Sequence, residues 1–224
     1  MTQQSSSSPI TEKLFINGPA GKLEAILDIP NPDQRRPIIA ICCHPHPQHG
    51  GAMTNKVIYM VARAQVALGA TAVRFNFRGT GKSEGEYDEG KGELLDLDAV
   101  IKWAQTNYPD HQLWLSGFSF GSWITAMAAH KYDVEQLISI ALPVSRGYFD
   151  GFEHPYCDWL AIMGDADEVV SFSDTEDWVE SQHPRPDWIV MEGAGHFFHS
   201  RLVELREHIE QHLSAKAAAV PIAS

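Results

Sequence analysis

The amino-acid sequence predicts an α/β architecture, a mostly parallel central sheet with helices on both faces. From residue 38 onward, short apolar runs alternate with segments of helical period, the order of strands and crossover helices. The runs are nearly continuous in apolar residues instead of alternating apolar with polar, as strands covered on both faces are. Neither a repeat nor a composition break divides the chain. One domain is therefore expected over 10–214, between flexible tails at 1–9 and 215–224.

The chain opens with Leu14 to Ile16 and Leu23 to Ile29 around Asn17-Gly18-Pro19-Ala20-Gly21, a turn between two strands of a hairpin. Ile38 to Cys43 is the first buried strand, followed by Thr71 to Phe77, Leu113 to Gly117, Leu137 to Leu142, Trp159 to Met163 and Trp188 to Met191. Apolar residues at helical spacing mark Lys56 to Leu68, Glu93 to Thr106, Phe120 to His130, Asp174 to Ser181 and Arg201 to Leu213. Glu93, Asp96 and Asp98 read as a solvated acidic helix start, favoured there by the macrodipole.

The 224 residues, 44% hydrophobic and 21% charged, suit one domain able to bury a full core. A formal net charge of −12 repels the phosphates of nucleic acid and the surface of an anionic membrane, so neither partner is expected. No apolar run approaches the roughly 20 residues of a membrane span. Met1 to Pro9 is polar, without the basic and apolar regions of a signal peptide, and a cytoplasmic location is expected. Cys42 and Cys43 are adjacent in one strand and should point to opposite faces. Cys157 reads as an ordinary partly buried loop thiol, and no paired zinc spacing is present.

The chemistry concentrates in three places. Gly117-Phe118-Ser119-Phe120-Gly121 follows Leu113-Trp114-Leu115 and precedes a helix, the setting of a nucleophile elbow. A serine raised on so sharp a turn needs glycine two residues away on each side, where a Cβ would collide with strand or helix. A hydroxyl is a poor nucleophile unaided and needs a base held by an acid, in the chain order Ser, acid, His. Carboxylates follow the next-but-one strand, in Gly164-Asp165-Ala166-Asp167-Glu168, and a histidine follows the last, in Glu192-Gly193-Ala194-Gly195-His196-Phe197-Phe198. Strands ending at these places put all three groups along the carboxyl edge of a parallel sheet, where ligand sites lie.

With His44-Pro45-His46-Pro47-Gln48-His49-Gly50-Gly51, Asn55-Lys56 and Phe77-Arg78-Gly79-Thr80-Gly81-Lys82-Ser83-Glu84-Gly85, these motifs stand in the order seen in the α/β-hydrolase superfamily. The chain resembles that superfamily from about Leu14 to Leu213, and more closely its small lidless bacterial members related to carboxylesterases and dienelactone hydrolases. The resemblance implies the α/β-hydrolase fold with minimal or no cap, and Ser119, Asp167 and His196 as the triad. Asp167 is the transfer because the acid in such hydrolases stands three residues after the glycine ending its strand; Asp165 and Glu168 are the fallbacks. It also implies an oxyanion hole from the Phe120 N–H and an N–H of the histidine-rich loop. His46 is the expected second donor, since Pro45 and Pro47 have no N–H; Gln48 and Gly50-Gly51 remain open.

Three histidines in six residues invite a metal reading, but no carboxylate or thiolate nearby completes a set. Gly79-Thr80-Gly81-Lys82-Ser83 ends like a phosphate-binding loop, yet Asn76 stands where that motif requires glycine. It reads instead as a turn, with Arg78 a structural tether. His199 reads as a surface or packing residue, and Phe197, Phe198, Trp123 and Trp159 as core or pocket wall.

The expected function is cleavage of small carboxylic esters by a serine hydrolase through an acyl-enzyme, without cofactor or metal, on a small-molecule ester substrate. The alternatives are a thioesterase or amidase with the same triad, and a ligand-binding protein of the same fold without catalysis. Pro143 to Asp158 is too short for a helical cap, so the cleft should be open to small substrates. Nothing in the residues bears on oligomeric state.

Overall fold

A computed structural model describes residues 10–144 and 147–222. The tail expected at 1–9 lies outside the described residues. The strands are β1 (Ile10–Gly18), β2 (Gly21–Ile29), β3 (Ile38–Cys43), β4 (Thr71–Phe75), β5 (Gln112–Phe118), β6 (Val134–Ile140), β7 (Asp158–Gly164) and β8 (Asp187–Met191). The helices are α1 (Lys56–Ala67), α2 (Lys91–Asn107), α3 (Phe120–Ala129), α4 (Phe172–Ser181) and α5 (Leu202–Ala219).

The strands form one sheet in the order β1-β2-β4-β3-β5-β6-β7-β8. β1 and β2 are an antiparallel hairpin, β2 runs antiparallel to β4, and every later pairing is parallel. This is the mainly parallel sheet the sequence predicts. β3 and β5 sit at its centre, paired from Ile38 with Gln112 to Cys43 with Gly117, so the segments leaving them rise side by side at the carboxyl edge.

Strand period sorts the core into two layers. Ile39, Ile41 and Cys43 face the layer that holds Leu97, Val100 and Ile101 of α2 and Ile124 of α3. Ile38, Ala40 and Cys42 face α1 and α5, through Val57, Ile58, Val61, Leu205, Ile209 and Leu213. Cys42 and Cys43 therefore do point to opposite faces. Each fully buried aliphatic side chain contributes roughly 1.5–3 kcal/mol, and both layers are drawn from runs that the sequence shows as apolar.

Two expectations need correction. The segment from 215, taken as a flexible tail, is helical to Ala219. Its buried stripe continues at i+4 steps, Leu205, Ile209, Leu213 and Ala217, and Pro221 comes only after Val220, itself buried. Lys216 Nζ also binds Asp158 Oδ2 at 2.7 Å, and Arg36 donates to the Val220 carbonyl. Ala-rich sequence with little polarity reads as a tail only until a groove is available to hold it.

The acidic start of α2 is not solvated either. Glu93 and Asp96 are fully buried. Glu93 accepts the backbone N–H groups of Asp88 and Gly90. Asp96 accepts from Arg78 at its backbone N (2.9 Å), Nε (3.0 Å) and Nη2 (2.8 Å). Asp98, the third, binds Lys102 and Tyr132. Glu93 and Asp96 anchor the long β4–α2 connection, which local sequence could not disclose because their partners lie on the other side of a turn.

Candidate active site

Ser119 stands between β5 and α3 with φ 52° and ψ −122°, a conformation that strains a residue with a Cβ and persists only where the surroundings enforce it. They do so by close approach. A Cβ on Gly117 would lie 2.2 Å from the Gly121 carbonyl oxygen, and one on Gly121 2.2 Å from that of Cys43. The strand, the turn and the central neighbour β3 are thus in backbone contact on both sides of Ser119. The Ser119 N–H is held by the Ile140 carbonyl at 2.8 Å, and its side chain is left at the cleft.

The β7–α4 turn and the loop after β8 meet beside it. His196 Nδ1 lies 2.8 Å from Asp167 Oδ2, with the two side chains 3% and 0% exposed. The other Asp167 oxygen accepts the N–H groups of Val169 (2.9 Å) and Val170 (2.8 Å). With Nδ1 donating to a carboxylate, Nε2 carries the lone pair. The two fallback carboxylates have other tasks. Asp165 Oδ1 accepts the Gly193 N–H at 2.5 Å, and Glu168 Oε2 the His196 N–H at 3.0 Å. They hold the loop that carries His196, while its ring packs on Phe118 and Phe197. Ser119 and His196 are walls of one cavity of about 230 Å³.

The α/β hydrolase fold family matches residues 41–142. An α/β serine hydrolase without lid from Xanthomonas campestris is 41% identical and superposes with a TM-score of 0.89, over 96% of this chain and 97% of that one. The chain belongs to the α/β-hydrolase family. An α/β serine hydrolase homologue from Coxiella burnetii is 44% identical, with a TM-score of 0.87 over 90% of this chain and 97% of that one. An uncharacterized protein of Rickettsia prowazekii is 35% identical over 214 residues, 90% of this chain and 88% of its own length.

In this α/β hydrolase the histidine-rich loop is built by its own side chains. Pro47–His49 form one 3₁₀ turn, and His46 Nδ1 accepts the Gln48 N–H at 3.3 Å. The His46 carbonyl accepts the N–H groups of His49 and Gly51. Gln48 and Gly51, open as oxyanion donors on sequence grounds, thus have their N–H groups occupied. Among the described residues no protein acceptor takes the N–H of His46 or of Phe120, and both residues line the cleft. The His46 ring packs 5.0 Å from that of Phe120, and its Nε2 meets Tyr87 Oη at 3.1 Å. Tyr87, Tyr148 and Pro143 enter the site without a sequence signal, because each reaches it from a loop with no local pattern; Val170 closes the motif that carries the acidic turn.

The remaining sequence candidates are structural. Lys82 N donates to Glu24 Oε2 at 2.9 Å, and Ser83 Oγ bridges the Asn76 carbonyl and the Glu24 N–H. The segment resembling a phosphate loop is therefore strapped to β2 by a carboxylate. Phe198 and Trp159 are core, Trp123 stacks on Tyr148, and Phe197 lines the cleft at 39% exposure. His199 is exposed. Between Leu142 and Asp158 the described residues contain no helix, and Phe149 and Phe152 fasten that segment to Trp178 and Trp159. Cys157 is half-buried, with burial pushing its thiol up to about 11. No helix among the described residues is long and apolar enough to cross a membrane.

His44 is fully buried, its Nδ1 paired with the Pro45 carbonyl at 2.6 Å and its Nε2 accepting the Phe77 N–H at 3.1 Å. Burial lowers it from 6.5 to about 4. A histidine depressed in the folded state leaves stability intact above 6.5, and stability falls as pH drops toward 4, because the unfolded chain binds the proton first. The loss expected by pH 4 is about 3 kcal/mol at 1.36 kcal/mol per pH unit. Melting curves from pH 7 to 4 should show a steeper decline for the natural chain than for His44→Asn; equal slopes would refute the assignment.

Proposed function

We propose that this protein hydrolyses small carboxylic esters by acyl transfer to Ser119. The observation that carries the reading is the 2.8 Å bond between His196 Nδ1 and Asp167 Oδ2 beside a serine on a strained elbow. Asp167 holds the imidazole in the tautomer whose Nε2 can accept the Ser119 proton, and it stabilises the cation that results. Ser119 Oγ attacks the carbonyl carbon, and the oxygen that gains charge is received by the Phe120 and His46 N–H groups. The proton then passes from His196 to the departing alkoxide. Water releases the acyl group by the same steps in reverse order. Among the described hydrogen bonds none joins Ser119 Oγ to His196; the mechanism requires that bond to form when substrate fills the cleft.

Small substrates are favoured because no helix covers the cleft among the described residues and its two cavities are moderate, about 160 and 230 Å³. A long acyl chain would leave most of its apolar surface in water and gain little from binding. The experiment is a series of p-nitrophenyl esters with acyl chains of two to twelve carbons, with a phosphonate probe run in parallel. The expected result is turnover confined to short chains and covalent labelling of Ser119. Labelling without turnover of any ester would move the reading to thioesters or amides, and an unlabelled folded protein would move it to ligand binding.

A further inference from the structure

We infer that Asn55, in the wall of the part of the cleft that holds His196, selects leaving groups carrying a hydrogen-bond acceptor. The inference rests on the ester-hydrolase reading above and deepens it.

Both cavities share His46, His49, Ser119 and Val169. The smaller is completed by Phe120, Pro143, Tyr148 and Val170. The larger is completed by His196, Phe197, Asn55 and the turn at Gly50-Gly51. Proton transfer assigns the two. As the bond from Ser119 Oγ to the acyl carbon forms, the bond from that carbon to the alcohol oxygen breaks, and the oxygen leaves with the electron pair. The proton that Ser119 gave to His196 must go to it, so the leaving oxygen has to lie within hydrogen-bond reach of His196 Nε2. Only the larger lobe has His196 in its wall. The acyl chain takes the smaller, under Tyr148.

Asn55 gives the larger lobe its selectivity. It is the N-cap of α1, with Oδ1 accepting the N–H groups of Val57 at 2.9 Å and Ile58 at 3.4 Å. Those two donors require oxygen at that position and so fix which end of the amide is nitrogen. Nδ2 is therefore turned away from the helix, on a side chain that lines the lobe. No protein acceptor takes it among the described residues. A rigidly held amide donor in the wall of the lobe that receives the leaving group fits a carbonyl or hydroxyl oxygen of the alcohol. Phe197 and Val169, 39% and 55% exposed, supply an apolar rim.

The test separates donor from scaffold. Asn55→Asp keeps an N-cap oxygen, a favoured residue at a helix start, but replaces the donor with an acceptor; Asn55→Ser also caps and lacks the reach. Two acetate esters of matched shape, isobutyl acetate and the acetate of glycolamide, would be compared by pH-stat, each rate normalised to its alkaline hydrolysis. The natural chain is expected to prefer the glycolamide ester by about tenfold or more, the scale of one hydrogen bond. Both variants should lose that preference, the glycolamide ester falling by about tenfold more than isobutyl acetate, in a folded protein whose Ser119 the phosphonate still labels. Equal loss on both esters, or an unchanged preference, would overturn the role of Asn55 and leave the esterase reading standing. Failure of the natural chain to turn over any ester would overturn the esterase reading and this inference with it.

Discussion

Ser119→Ala is expected to lower kcat/KM on short p-nitrophenyl esters by at least about 10⁴-fold with the protein still folded. Without Oγ no acyl-enzyme can form, and the remaining groups can only assist direct attack by water. Loss of a nucleophile from a triad leaves the slow rate due to binding and oxyanion donors alone. A factor of 10⁴ corresponds to about 5.5 kcal/mol of transition-state stabilisation. Ser119 Oγ makes no hydrogen bond among those described, and alanine suffers the same positive φ as serine, so the melting temperature should move by no more than about 2 °C. Adding His196→Ala should cost little more, because groups acting as one unit are not additive. Turnover of the single variant within tenfold of the natural chain would exclude Ser119 as nucleophile.

The largest stability effect is expected at a residue that touches no substrate. Asp96→Ala should destabilise the fold by about 3–5 kcal/mol, the range for breaking a buried ion pair by removing one partner. The Asp96 side chain is fully buried and that of Arg78 is 10% exposed, so the guanidinium left behind cannot recover its hydration. The Arg78 N–H loses its acceptor as well. For a chain of this size the melting temperature should fall by about 10 °C, readable by circular dichroism. Activity should fall too, since the same connection carries Tyr87 to His46. Asp96→Asn, which retains an acceptor, should be milder. A shift under about 2 °C for Asp96→Ala would show that the connection is held by something else.

The catalytic neighbourhood was legible to unequal depth. The glycines at 117 and 121 announced a backbone too crowded for any Cβ, and the carbonyl oxygens that would stand 2.2 Å from such a Cβ give that requirement its cause. Chain order brought Asp165, Asp167 and Glu168 to one turn, but nothing local separates three carboxylates within four residues. Family resemblance pointed to Asp167. The folded chain shows it bonded to the His196 ring, and its two neighbours bonded to the backbone of the opposite loop. The lining by Pro143 and Tyr148, and the contact of Tyr87 with the His46 ring, were out of reach, because a cavity wall is set by where loops from separate crossovers come together.

Apolar period and glycine placement, read along the chain, determined the strands, the helices, their two-layer covering and the carboxyl edge on which Ser119, the acidic turn and His196 emerge. These are consequences of local sterics and of which residues leave water, and both are written residue by residue. The tertiary structure alone decided which charges are buried and which oxygen meets which nitrogen. Glu93 and Asp96 look like a solvated helix start until Arg78 and the N–H groups of Asp88 and Gly90 arrive to satisfy them, and 215–219 looks like a tail until Ala217 finds its groove. The cost of burying a polar group depends on a partner distant in the chain, and that partner is known only once the fold has closed.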